Sequence, residues 1–229
     1  MRLLLLRHGQ TPSNVDGILD AGYPGPGLTA LGRAQAAAIP DALQHESIAA
    51  LHVSRLVRTH ETAAPLAAAL GMSPQLTAGL EEISAGQLEL RRDAEAIAAY
   101  QDNHSRWSAG EFTDGLPGGE TGRAFWNRYT GALRHIAALH AEDATVAVVS
   151  HGAAIRVFAA VVAGLGAASL EDRPLPNTGM VTLTGHPEEG WQLEDWVSTP
   201  IGGAHLLRGT AHEGTADQST ADQHADAAV

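Results

Sequence analysis

The chain has 229 residues, 44% of them hydrophobic, and 26 acidic against 14 basic side chains give a formal net charge of -12. That size suits one well-buried domain rather than two, and the acidic balance argues against nucleic acid or an anionic membrane surface as partner. There is no cysteine and every basic residue is arginine, which excludes disulfides, thiolate metal sites, cysteine nucleophiles, Walker-type lysines and Schiff-base chemistry.

Met1-Arg2 before Leu3–Leu6 opens like a secretory signal, but the apolar run is too short and no small-residue cleavage site follows. No stretch approaches the ~20 apolar residues of a spanning helix, so a cytoplasmic location is expected. The run Leu3–Leu6 reads instead as a buried strand, and it ends in Arg7-His8-Gly9-Gln10-Thr11. An imidazole there sits on the rim of a sheet, where open α/β folds bind ligands, and the glycine permits a turn or close approach. Arg7 beside it has to face water or an anion, because an isolated buried charge is costly.

Asp16–Gly27 is rich in glycine and proline and reads as irregular. Thr29 is a plausible N-cap for a helix from Ala30 to about Gln44, which Pro40 should kink or end early. Ile48–Val53 is the next strand. From Ser54 a helix is expected to run to Leu70 and stop at Gly71, carrying Arg55, Arg58, Thr62 and Ala63. Leu80-Glu81-Glu82-Ile83 precedes Gly86 and Glu89, and taken alone the two glutamates also fit an exposed loop pair. Arg92–Trp107 reads as helix and Phe112–Gly119 as loop. A helix from Thr121 to about His140 then places Phe125, Tyr129, Leu133 and Ile136 on one apolar face.

A second buried strand, Val146–Val149, also ends in a histidine and a glycine, Ser150-His151-Gly152, and feeds a helix from Ala153 to Val162. That helix start adds partial positive charge beside His151. Pro176–Gly179 is a turn in which Asn177 has either a turn role or a supporting role at the site. Strands are expected at Met180–Thr184 and Trp191–Val197. From Gly209 to Val229 the apolar residues are almost all alanine, so a domain over 1–208 and a disordered tail over 209–229 are expected. The remaining histidines show no ligand spacing, and neither a metal nor another cofactor is expected. The Asp-x-Asp of aspartyl phosphotransferases is absent.

Arg7-His8-Gly9-Gln10-Thr11 with Asn14, the phrase Leu28–Ala36, Ser54–Ala63, the Glu82 to Glu89 segment and Ser150-His151-Gly152 together resemble the histidine phosphatase superfamily, which includes the cofactor-dependent phosphoglycerate mutases. The resemblance covers roughly Met1 to Trp196. Pro117–Thr121 also matches a Gly-Gly-Glu-Ser/Thr step common there. One departure is Leu90, where family members often have glycine after the second glutamate.

The resemblance implies a three-layer α/β/α sandwich with a mainly parallel sheet and one antiparallel strand. It implies His8 as the nucleophile, Glu82 as proton donor and His151 as a second catalytic histidine, donating to phosphate if protonated. Arg7, Arg58, Asn14, Gly9 and Gly152 would hold the phosphate, with Arg55 outside the site. Gln10 and Thr11 are further candidates for substrate contact; for Glu120 a first-turn carboxylate favoured by the helix dipole is the alternative.

Three activities stay open. One is a metal-independent phosphomonoesterase acting on a small phosphorylated metabolite through phosphohistidine. Another is a phosphoglycerate mutase-type phosphotransferase, and the third a non-catalytic phosphate-binding protein. Gln10-Thr11 and the stretch Ile83–Gln87 differ from the Glu-Ser opening and the basic, aromatic segment of the mutases, which favours the phosphatase. Partners are then a small phosphate ester and neither nucleic acid nor membrane, with room for a homodimer.

Overall fold

The structure, a computed structural model, describes residues 1–166 and 170–207. The expected tail, 209–229, lies outside the described residues. Six strands, β1 (Arg2–Arg7), β2 (Ile48–Val53), β3 (Gln75–Leu76), β4 (Thr145–Ser150), β5 (Met180–His186) and β6 (Gly190–Val197), form one sheet in the order β3-β2-β4-β1-β5-β6. β1, β2, β3 and β4 pair in parallel, while β5 runs antiparallel to both β1 and β6. This is the expected mainly parallel sheet with one reversed strand.

Alternating side chains of the buried strands feed two cores. Leu3, Leu5, Val146 and Val148 face α5 (Ala94–Ser108), α6 (Gly122–Leu139) and α7 (Gly152–Val162). Leu4, Leu6, Ala147 and Val149 face α3 (Ile39–Ala42) and α4 (Val57–Leu70), with α2 (Ala30–Ala37) packed on α4. Helices on both faces explain why β1 and β4 read as unbroken apolar runs. On α6 the predicted stripe Phe125, Tyr129, Leu133 and Ile136 is buried, and burying each such side chain contributes about 1.5–3 kcal/mol. Among the described residues no helix is long and apolar enough to cross a membrane.

The break expected from Pro40 is present, whereas the start of the next helix needs correction. The helix from Ala30 breaks at Ala38 into α2 and α3, because Pro40 lacks the N–H that a continuous helix would use. The helix after Ser54 starts only at Val57, with Leu56 extended as its N-cap, and it ends at Gly71 in the left-handed region, φ 64°. Strand β3 had no signal, since its two residues are exposed. Leu90 has φ 63°, a conformation glycine adopts without strain, so the departure from the family pattern falls on a position that favours glycine.

The topology fixes the site. β1 and β4 are neighbours with Arg7 opposite Ser150, so the residues that follow, His8 and His151, emerge side by side at the carboxyl edge. Their rings lie with centroids 5.3 Å apart. Val53 pairs with Val149, which brings Ser54 and the start of α4 to the same edge.

Candidate active site

His8 is anchored before its side chain is considered. Its backbone N–H donates to Ser150 O at 3.0 Å, and its carbonyl accepts from Asn177 Nδ2 at 3.0 Å. The ring Nδ1 lies 2.8 Å from Gly9 O. A carbonyl only accepts, so Nδ1 carries the proton and Nε2 keeps its lone pair. Burial, then Arg58 and Arg7, hold the His8 pKa well below the usual histidine value. A neutral imidazole with a defined lone pair is the form a nucleophile needs.

Arg7 and Arg58 are both buried and both line the cavity that His8 opens into. Arg7 Nη1 donates to Leu175 O at 2.8 Å, and Arg58 Nη2 donates to Asp20 O at 3.1 Å. Burial lowers the Arg58 pKa, opposed by the carboxylates of Glu82 and Asp20; a guanidinium stays charged throughout. Arg55 points away, its side chain 57% exposed against Glu81. Glu61 of α4 accepts from Leu28 N–H in the loop before α2.

His151, expected to donate to phosphate if protonated, has both ring nitrogens engaged by neighbouring side chains. Arg58 Nε donates to its Nδ1 at 3.3 Å, so the proton sits on Nε2 and goes to Ser54 Oγ at 2.8 Å. Burial and Arg58 hold its pKa well below the usual value. His151 thus stands behind Arg58, outside the residues that line the cavity.

The glycines separate in the same way. Gly152 lines the cavity, and a Cβ there would stand 2.9 Å from Arg7 Nε, so only glycine lets the guanidinium pass. Gly9 is no phosphate ligand: its N–H donates to Thr62 Oγ1 at 2.9 Å, and a Cβ would meet Gly32 O at 2.7 Å. Its role is close approach to α2. Thr11 caps the short helix α1 (Pro12–Asp16) in a box with Asn14, and both line the cavity. Asn14 Oδ1 is engaged by Thr11 N–H and Asn177, which leaves its NH₂ end for an anion. Gln10 is buried, accepts from Thr29 Oγ1 at 2.9 Å and is not among the residues that line the cavity, unlike its expected place as a substrate contact.

Glu82 lines the cavity as well. Its Oε1 accepts from Ile83 and Ala154 N–H at 2.9 Å each, and its Oε2 from Ala153 N–H at 3.1 Å. Two of these donors belong to the first turn of α7, so the carboxylate sits on the positive end of that helix. Glu120 does not reach the cavity and is not a dipole-bound carboxylate either. It forms a bidentate pair with Arg128, Nε–Oε2 2.8 Å and Nη2–Oε1 2.6 Å, and also accepts from Ser84 N–H.

The cavity is small, about 90 Å³, against the several hundred Å³ of pockets for drug-sized ligands. Its walls come from Gly17–Asp20 and from α5 residues Ile97, Tyr100 and His104, together with Arg156 of α7. Glu89 ties the two walls by accepting from Ala21 and Gly22 N–H. Among the described residues no group of three potential ligands could hold a metal.

Residues 3–199 match the profile of the histidine phosphatase superfamily (branch 1). The chain belongs to that superfamily. The enzyme class expected from the sequence, a histidine phosphatase, is the class of its family. It is 38% identical over 216 residues to the PE-PGRS family protein PE_PGRS11 of Mycobacterium tuberculosis, covering 88% of this chain but 37% of that protein's length. It is 28% identical over 203 residues to the probable phosphoglycerate mutase GpmB of Salmonella choleraesuis, covering 88% and 93% of the two. Among solved structures it resembles mycobacterial glucosyl-3-phosphoglycerate phosphatase, with TM-score 0.71, 25% identity and 86% and 99% of the chains covered. The α-ribazole phosphatase of Shigella flexneri gives TM-score 0.66, 26% identity and 87% and 98%.

Several supporting residues escaped the sequence reading: Asp20, Ser54, Tyr100, Arg128 and Arg156. Asn177, for which two roles were open, bonds both the His8 carbonyl and Asn14. Away from the site, His52 Nε2 lies 3.0 Å from His140 Nε2 and burial pushes the His52 pKa down to about 4. Burial likewise puts His104 at about 3. With His8 and His151, four buried histidines thus have folded pKa values below the unfolded value of about 6.5. Above that value both states are neutral and stability is fully present. As pH falls through it the unfolded chain binds protons that the native state refuses, so stability drops progressively toward the folded values. The thermal midpoint, measured in chloride buffers, is expected to fall steeply between pH of about 6.5 and 4.5. A flat midpoint over that window would contradict the neutral, buried assignment.

Proposed function

We propose that the protein hydrolyses a small phosphate monoester through a phosphohistidine on His8, without a metal. The observation that carries this reading is the Nδ1 to Gly9 O bond, which leaves His8 Nε2 unprotonated in a cavity shared with Arg7 and Arg58. Phosphoryl transfer is catalysed mainly by positioning and charge neutralisation, and two guanidiniums supply the charge that a metal otherwise brings. Nε2 forms the N–P bond as the P–O bond to the alcohol breaks, and Glu82 protonates the departing alkoxide. Water then attacks phosphorus as the N–P bond breaks, its proton goes to Glu82, and inorganic phosphate leaves with the His8 Nε2 lone pair restored.

The superfamily names among the relatives include both a mutase and phosphatases, so the acceptor has to be tested. Gln10-Thr11 and the stretch Ile83–Gln87, which depart from the mutase pattern, support water as the acceptor. A panel of 3-phosphoglycerate, glucosyl-3-phosphoglycerate and sugar phosphates should release inorganic phosphate from at least one member. The rate should be unchanged by EDTA and independent of any bisphosphate primer. Faster phosphoryl transfer from a bisphosphate to 3-phosphoglycerate than release to water would overturn the phosphatase reading in favour of the mutase. This proposal keeps the cytoplasmic location expected from the sequence and the small phosphate-ester partner that the family resemblance implies.

A further inference from the structure

The segment that carries Glu82 belongs to no helix or strand, so its carbonyls have no ladder to join. Side chains take them instead. Five consecutive carbonyls are held: Gly79, Glu81 and Glu82 by Arg128 at 2.8–2.9 Å, Leu80 by Ser150 Oγ at 2.8 Å and Ile83 by Tyr100 Oη at 2.8 Å. Arg128 therefore binds three of the five, and its remaining donors grip Glu120. Glu120 in turn accepts from Ser84 N–H at 3.2 Å, closing the frame on the far side of Glu82. The guanidinium packs over Phe125, 5.2 Å from the ring centre. It is absent from the cavity wall.

Only a planar fork with five donors meets three carbonyls and a carboxylate at once; an ammonium offers three donors from one point. A partly buried ion pair is weak evidence for stability, since its desolvation offsets its attraction. What this pair does fix is the path of the Glu82 main chain.

We propose that Arg128, backed by Glu120, is a positioning residue for the proton donor, holding the Glu82 backbone so that its carboxylate stands in the cavity that His8 lines. This rests on Glu82 being the donor. In Arg128→Lys the Ser150 and Tyr100 bonds still hold Leu80 and Ile83, so the loop keeps its course while the Glu82 carbonyl loses its partner and the main chain there can shift against the α7 terminus that the carboxylate meets. Misplacing a catalytic group by about 1 Å costs ~10²-fold.

The test compares kcat/KM for an alkyl phosphate and for nitrophenyl phosphate in Arg128→Lys and Glu120→Gln, each made in the wild-type and the Glu82→Gln background. Inhibition by inorganic phosphate and the thermal midpoint are measured alongside. The expected result is a ~10–10²-fold loss with the alkyl ester, a few-fold loss with the nitrophenyl ester and unchanged phosphate inhibition. In the Glu82→Gln background no further substrate-selective loss is expected, because the two changes act through one group. Equal losses with both esters, together with weakened phosphate binding, would reveal a merely structural role and overturn the proposal. If Arg128→Lys fails to fold, Glu120→Gln carries the test, since it is near-isosteric and weakens the bidentate grip that orients the Arg128 guanidinium toward the loop carbonyls. If Glu82→Gln discriminates and neither variant does, positioning is overturned and the donor stands. If Glu82→Gln itself fails to discriminate, the donor reading has failed and positioning falls with it.

Discussion

His8→Ala is expected to lower turnover by more than ~10⁴-fold, the scale on which removal of an enzymic nucleophile acts, while the fold survives. The backbone bonds of His8, to Ser150 O from its N–H and from Asn177 Nδ2 to its carbonyl, do not involve the ring. The side chain's one hydrogen bond goes to the neighbouring Gly9 carbonyl, so no distant element loses its anchor. Substrate labelled in its phosphoryl group and quenched in alkali should label the wild type and leave the variant unlabelled. Because His8 is held neutral well below the usual histidine pKa, labelling should also persist on the acid side of pH 6.5 for as long as the protein stays folded. Equal labelling of His8→Ala and wild type would end the nucleophile assignment.

What the sequence carried was whatever depends on a short window. Leu3–Leu6 and Val146–Val149 announce buried strands through composition alone, and each ends in the histidine that the sheet then sets beside the other. Pro40 and Gly71 act on their own turn, so a helix break and a helix end could be placed within a few residues. Roles that depend on a distant partner were not legible. Gly9 looked like a phosphate ligand because nothing nearby reveals that Thr62, far along the chain, takes its N–H. Glu120 stood before a helix and suggested a dipole or substrate role, whereas its partner is Arg128 on the next turns of that helix. His151 carried the right motif, but its tautomer is set by Arg58 and Ser54, which only the folded edge of the sheet assembles. His52 and His140 meet across 88 residues of chain and had no spacing to betray them.

Leu90 shows a different kind of limit. The residue departed from the family pattern, and the departure alone said nothing of its cost. Its φ of 63° supplies the meaning: the backbone turns there to donate to Leu19 O, tying the segment after Glu89 to the loop that walls the cavity. A leucine held in the left-handed region costs roughly 1–2 kcal/mol, which the surrounding loop contacts offset.

Glu82→Gln is expected to lower kcat/KM by ~10²–10⁴-fold for an alkyl or sugar phosphate, the usual range for general acid catalysis, and only mildly for nitrophenyl phosphate. A nitrophenolate leaves phosphorus with little help, whereas an alkoxide needs a proton in the transition state. The substitution also has a structural component. The carboxylate accepts three backbone N–H bonds, two of them from Ala153 and Ala154, and an amide places one NH₂ against such donors, at a cost of about 1–3 kcal/mol. That cost reaches both substrates equally, because both need the same α7 terminus beside the phosphoryl group. Only the difference between the two leaving groups therefore reports proton donation. The comparison belongs on kcat/KM, which ends at departure of the alcohol, since kcat can instead report hydrolysis of the phosphohistidine. Glu81→Gln is the control: Glu81 binds Gly79 N–H and Arg55 and does not line the cavity. It should alter neither substrate by much. Discrimination by Glu81→Gln in place of Glu82→Gln would move the donor by one residue. If neither variant discriminates, proton donation does not come from this segment, and the capping of α7 is all that Glu82 does.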